Sequence, residues 1–214
     1  MKESFQAFVS LLTATALFSS ASAMRMEDQG GYALEKGLQY FHGEGVPYDY
    51  EAAAKHFREA AELGNVEAHL NLGFLYDLGI GVEQDYRKAA NYYRLAADAG
   101  DATAQFNLGI LYRFGRGVEA DPAIAAVWYE KAAEQGYVDA QYNLGVLYET
   151  GQGVDANLLI ADMWYILAAA SDHGKAMERH EALVVQMTPE QMQQAWESAY
   201  ELGVAMVAHA DETE

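Results

Sequence analysis

Residues 104–136 read AQFNLGILYRFGRGVEADPAIAAVWYEKAAEQG, and this stretch decides the fold. It reads as a helix, a stop and a second helix. Gly115 and Gly117 make the stop, because glycine alone enters the left-handed conformation of a helix C-terminus without steric cost. Asp121-Pro122 starts the next helix: the carboxylate accepts from free amides of the first turn, and proline at the first helical position gives up an N–H that had no partner anyway.

Shifting the chain by 36 residues superposes this pattern on itself four times. Gly37, Gly73, Gly109 and Gly145 align, and with them Tyr40, Tyr76, Tyr112 and Tyr148. Paired glycines follow at Gly43/Gly45, Gly79/Gly81, Gly115/Gly117 and Gly151/Gly153, then Asp49, Asp85, Asp121 and Asn157. Aromatic doublets sit at Tyr92-Tyr93, Trp128-Tyr129 and Trp164-Tyr165, weakened to His56-Phe57 in the first unit, and alanine pairs close each unit. A fixed period of this length is the mark of a repeat architecture. Within the second unit Ala68, Leu72, Leu75 and Tyr76 recur at helical spacing. The glycine and the alanine pair let helix backbones approach closely, the aromatics fill the space between units, and three or more stacked units build one continuous core. The expected fold is all-α: an α-α superhelix of four helix-turn-helix repeats at 32–67, 68–103, 104–139 and 140–175, then capping helices over 176–208 and an acidic tail at 209–214.

The consensus Ala-x-x-x-Leu-Gly-x-x-Tyr-x-x-Gly-x-Gly-Val, then Asp, then Trp-Tyr-x-x-Ala-Ala-x-x-Gly, resembles the Sel-1-like repeat family, relatives of the tetratricopeptide repeats. The likeness covers about residues 32 to 175 and is most complete from Ala104 to Gly136. It weakens at the ends, where Tyr32 replaces the opening alanine and the last glycine moves to Gly174. The resemblance implies an α-solenoid that works by binding protein, as adaptor, scaffold, regulator or inhibitor, with no cofactor; exported bacterial members are linked to signalling, envelope assembly, host contact and toxin neutralisation.

Both ends of the chain depart from the repeat. Lys2, a mostly apolar run from Phe5 to Phe18, and Ala21-Ser22-Ala23 read as a signal peptide cleaved after Ala23, placing the mature protein in the periplasm or outside the cell without membrane insertion. The alternative is a hydrophobic N-terminal helix packed on the solenoid. Residues 24–31 join this segment to the first repeat. Beyond the last repeat, a helix is expected from Ala176 to Met187. Thr188-Pro189-Glu190-Gln191 then starts another, with Met192, Trp196, Ala199 and Tyr200 on the side that covers the end of the solenoid, or else docks a partner.

Composition narrows the function. Hydrophobic residues make up 51% of the 214-residue chain, which excludes a disordered polymer, and the absence of cysteine excludes disulfides and thiolate chemistry. A net charge of -19 repels phosphate backbones, so nucleic acid is not expected as a partner, while a basic protein would be met faster. Gly-x-Gly lacks the third glycine of a dinucleotide fingerprint, His180-Glu181 has Val184 where a zinc-protease helix needs its second histidine, and the histidines are scattered. No catalytic or metal-binding residue is assigned.

A partner is expected on the first helices. At ~100° per residue, positions 3, 4, 7, 10 and 11 of each unit share an arc that faces the cavity in tetratricopeptide grooves. From this arc the candidates are Asn71, Phe74, Asp77, Asn107, Ile110, Arg113, Phe114, Asn143 and Glu149. The asparagines can hold a peptide backbone or cap inter-helix bonds, and the phenylalanines can serve as anchors or core. Positions 10 and 11 vary most between units, so they carry the specificity. The resulting expectation is a monomeric, non-catalytic adaptor or regulator of the cell envelope, with an inhibitor of a basic toxin as the alternative. N-terminal sequencing of the protein from its native cell is expected to begin at Met24; a start at Met1 would overturn export.

Overall fold

The computed structural model describes residues 29–213, with side chains described to residue 208. Among these residues all regular structure is helical: α1 (29–42), α2 (Tyr50–Glu62), α3 (Val66–Leu78), α4 (Tyr86–Asp98), α5 (Ala102–Phe114), α6 (Pro122–Glu134), α7 (Val138–Thr150), α8 (Leu158–Ala170), α9 (Gly174–Val184) and α10 (Pro189–Thr213). The expected leader over residues 1–23 lies outside the described residues. They divide into two compact units, one ending at Gln84 and one beginning at Asp85, a boundary inside the second repeat.

Each helix boundary follows from local chemistry. The second helix of every repeat is capped where the sequence placed the cap: Asp49 accepts from the Ala52 amide, Asp85 from Arg87 and Lys88, Asp121 from Ala123 and Ile124, and Asn157 from Leu159 and Ile160. Such a cap contributes about 1 kcal/mol. Three first helices are capped too, by Asn65, Asp101 and the Nδ1 of His173, which accept from Ala68, Ala104 and Ala176. The sequence reading had not placed these. At the other end, Gly79, Gly115 and Gly151 stand in the left-handed region with φ of 70°, 67° and 68°.

From the second repeat on, the second glycine of each pair has a different task, while Gly45 in the first has open space around it. A Cβ on Gly117 would stand 2.2 Å from the carbonyl carbon of Tyr86, one on Gly153 2.3 Å from that of Pro122, and, in the compact half ending at Gln84, one on Gly81 2.3 Å from that of Tyr50. The loops of the second, third and fourth repeats therefore cross the first turn of the second helix in the repeat before, at backbone contact. Buried glutamines add a second tie: Gln105 Nε2 donates to the Ala97 carbonyl and Gln141 Nε2 to the Ala133 carbonyl, both at 3.2 Å, each a second donor to an oxygen that already accepts from the Gly100 or Gly136 amide.

Past the repeats, the side chain of Thr188 accepts from the Gln191 amide while the Gln191 side chain accepts from the Thr188 amide, the reciprocal box read from the sequence. α10 packs on α8 and runs to Thr213, so its helix carries into the acidic end. Its buried side differs from expectation. Ala195 and Ala199 are buried, and Met192, Leu202 and Met206 pack against the core, whereas Trp196 and Tyr200 are 58% and 63% exposed and face outward.

Substituting Gly136, which has φ of 82° but open space around it, by alanine is expected to cost only the left-handed penalty of about 1 kcal/mol in urea unfolding. Gly117→Ala should lose about 3 kcal/mol or more, because a helix turn must also move. Equal losses would show that the backbone crossing is not a constraint.

Candidate functional site

In the compact half that ends at Gln84, α3 carries Asn71, Phe74 and Asp77. Asn71 and Asp77 are half-buried; Phe74 is 38% exposed and sets its ring edge-on to Phe41, 6.3 Å between centroids. Phe41 also meets Tyr50 and Phe57, so Phe74 caps an aromatic cluster with one side open to solvent.

In the compact half that begins at Asp85, α5, α7 and α9 bring position 10 of one repeat to position 4 of the next. Arg113 Nη1 donates to Asn143 Oδ1 at 2.7 Å, and Asn143 Nδ2 donates in turn to the Asp139 carbonyl at 2.7 Å. One repeat on, Glu149 accepts from Arg179 Nη1 at 3.0 and 3.2 Å and from the Tyr165 hydroxyl at 2.6 Å. The Glu149 charge holds the Arg179 guanidinium still more firmly protonated. Burial pushes Tyr129 up to about 12 against the pull of nearby Arg113, and burial with Glu149 pushes Tyr165 up as well. The candidates at position 10 thus face both a core tyrosine of their own repeat and the next first helix. Ile110 packs on the core; Asn107 is half-buried.

Phe114 is the most exposed of the candidates, at 59%. Its ring lies beneath two guanidiniums, Arg113 at 5.4 Å and Arg116 at 5.6 Å, and Arg116 also approaches the Tyr86 ring at 6.0 Å. Two participants were not anticipated. Arg179 maps by the 36-residue offset onto Asn143, a signal that was available had the register been carried past the fourth unit. Arg116 fills the variable place inside a glycine pair, which carried no signal. Beside Arg179, a cleft of about 450 Å³ is lined by Tyr142, Lys175, Glu178 and Ala182.

A buried pair between α8 and α9 also escaped the sequence reading. Asp162 is fully buried, and its Oδ1 lies 2.6 Å from His180 Nδ1, while Oδ2 has no hydrogen-bond partner among the described residues. The same positions hold Ala54, Ala90 and Ala126, and Leu72, Leu108 and Leu144, in the other repeats. An alanine–leucine contact has become an aspartate–histidine contact. Burial pushes the Asp162 carboxyl above the ordinary carboxylate range, with His180 pulling it back.

Among the described residues no three histidine or carboxylate side chains gather to hold a metal ion, and no helix is long and apolar enough to cross a membrane. The fold and face define an all-helical repeat protein whose exposed aromatic and charged side chains offer contacts for another chain. The Sel1 repeat pattern matches residues 31–65, 66–101, 102–137 and 138–173, and the chain belongs to the Sel1 repeat family. No curated protein matches the chain. Among solved structures it is similar to c5321, a protective antigen of uropathogenic Escherichia coli displaying an SLR fold, with 34% identity and a TM-score of 0.73 over 81% of this chain and 38% of that one. The chain therefore spans well under half of that antigen. It is also similar to a Sel1 repeat protein from Oxalobacter formigenes, with 28% identity and a TM-score of 0.69 over 80% of this chain and 73% of that one. Sel1 repeats typically mediate protein–protein interaction as non-catalytic scaffolds.

His180→Leu leaves the buried carboxylate without its partner and should cost about 3 kcal/mol at neutral pH. The double change Asp162→Ala with His180→Leu restores the residues of the other repeats and is expected to equal or exceed the parent in stability. Because the Asp162 carboxyl is raised in the folded state, its penalty is absent at low pH and grows as pH rises through the window above the ordinary aspartate value near ~3.9. The advantage of the double variant should accordingly shrink in acid; a constant difference across the titration would refute the assignment.

Proposed function

We propose that the protein is an exported scaffold or regulator of the bacterial cell envelope that holds a segment of another protein on the first-helix face of α5, α7 and α9. The observation that carries this reading is Phe114, a large exposed ring clasped by two arginines in a chain of net charge -19. A phenylalanine exposed to this degree gives little to folding, while a ring beside two guanidiniums offers a partner an apolar anchor and planar donors for carboxylates or backbone carbonyls. Asn143 takes one of the five donors of Arg113 and fixes where the others point. Glu149 and Arg179, one repeat further, extend the polar part of the face toward the α7–α9 cleft. Asn71, Phe74 and Asp77 serve the same purpose on α3, and Asn107 and Ile110 support the face from α5.

Support for export comes from the leader-like residues 1–23, and the large like charge on every copy supports a monomer. That charge also favours a second reading, an inhibitor that meets a basic toxin by electrostatic attraction.

A photo-crosslinking amino acid placed at Phe114 is expected to trap one defined protein in cells, and none when placed at Leu95, an exposed apolar position on α4. Arg113→Ala with Phe114→Ala should abolish recovery of that protein while circular dichroism stays unchanged. Crosslinks that are equally strong from both positions would sink the face, and a trapped protein that is basic and toxic would promote the inhibitor reading.

A further inference from the structure

We propose that the groove between α8 and α10 is a second docking site, whose occupant is an amphipathic helix of a partner protein carrying lysine or arginine along one flank. It rests on the reading of the chain as an interaction protein, but on a surface that shares no residue with the first-helix face.

The groove encloses about 580 Å³ and is walled by Ile166 and Leu167 on α8 and by Trp196, Tyr200, Val204 and Val207 on α10. The four α10 side chains are 53–64% exposed, and Trp196 and Tyr200 stack on one another at 5.6 Å, so the apolar wall is uncovered and its two aromatic rings are paired. These residues are not needed to hold α10 down. Ala195, Ala199, Leu202 and Met206, on the adjoining side of the helix, do that. Trp196 to Val207 spans roughly 17 Å along the axis, which matches three turns of a helix laid alongside.

The lining selects the kind of occupant. An extended peptide would bring unpaired backbone amides and carbonyls into an apolar groove, at a cost of several hydrogen bonds, whereas a helix satisfies its own backbone before it arrives. Charge then selects the flank. Neither α8 nor α10 contains a lysine or arginine. On a wheel at ~100° per residue, Glu197 and Glu201 fall at about 100° and 140° from Trp196, next to an apolar stripe about 80° wide, and Glu190, at about 120°, continues their row beyond its N-terminal end. All three are exposed. The stripe therefore has a row of carboxylates along one edge, complementary to a basic row on the incoming helix. A second copy of α10 would set carboxylates against carboxylates in a chain already at -19.

The test uses the full chain and two synthetic amphipathic helices of fourteen residues, identical in their leucine ridge, one flanked by lysine and the other by glutamate. Titration calorimetry is expected to show micromolar binding of the lysine peptide that weakens with salt, and binding of the glutamate peptide at least about tenfold weaker. Val204→Asp should weaken the lysine peptide by about tenfold or more, and Glu197→Lys with Glu201→Lys should reverse the preference between peptides. The last pair sits on exposed positions, so the question is decided even where Val204→Asp perturbs the helix. Arg113→Ala with Phe114→Ala should leave the affinity unchanged. Equal binding of both peptides, indifference to the α10 variants, or a micromolar dimer that Val204→Asp dissolves would each overturn the proposal. Peptide failure with intact crosslinking at Phe114 would remove the groove and leave the scaffold reading standing.

Discussion

Between the two helices of a repeat, an aromatic ring presses against glycine backbone. A Cβ added to Gly37 would stand 2.4 Å from Phe57 ring carbons, one on Gly109 2.7 Å from Tyr129, and one on Gly145 2.6 Å from Tyr165. No methyl group fits there, and the rings themselves are at most 1% exposed. This contact sets how near the paired helices lie, and other choices follow from the spacing. The residues flanking the ring on the second helix must be alanine, as Ala125, Ala132 and Ala133 are, because the ring already fills the gap. Backbones this close also bring the next loop down onto the preceding helix, where only Gly117 or Gly153 can pass.

A stack built this way leaves few positions to vary. The ring, the glycines and the alanines are occupied with packing, and the caps with amides. What is left to vary most on the first helix is positions 10 and 11, and position 10 is partly engaged: Arg113 and Glu149 each reach a side chain thirty residues ahead, one period less six. That link has a consequence for recognition. A side chain pinned to the next repeat loses little freedom when a partner arrives, so more of the contact energy appears as affinity. Phe114, one residue further along, is free of such ties apart from the arginines above it.

Much of this was legible in the sequence, because a repeat states the same physics four times. Period, helix order, paired-glycine stops, the second-helix caps and the Thr188 capping box could all be read, each resting on residues whose conformational role is local. The unread features are those whose residue type changes from repeat to repeat, or that need two distant residues to be brought together. First-helix caps at Asn65, Asp101 and His173 change identity from repeat to repeat, and Tyr137 in the same place makes no side-chain cap at all. Trp196 and Tyr200 were assigned to the buried side because α10 is apolar on two faces, and the pattern cannot say which one meets α8. The small residues at 195 and 199 are the ones that end up buried, at 0% and 2% exposure. The partner-facing residues were legible only as an arc.

The end of the array shows why pattern breaks are informative. Changing alanine to aspartate at 162 alone would bury a lone carboxylate, and changing leucine to histidine at 180 alone would set a polar ring against an apolar wall. Together they bond at 2.6 Å, so each change makes sense only in the presence of the other. Neither is required by stacking, which the other repeats achieve with alanine and leucine. The same region contains α10, twice the length of its neighbours, with one face spent on covering α8 and a second face left bare. A cap whose sole task was to end the core would be polar on its outer side. This one presents tryptophan, tyrosine and two valines to solvent with a row of glutamates beside them, so the last hairpin closes the core and at the same time opens a new apolar surface.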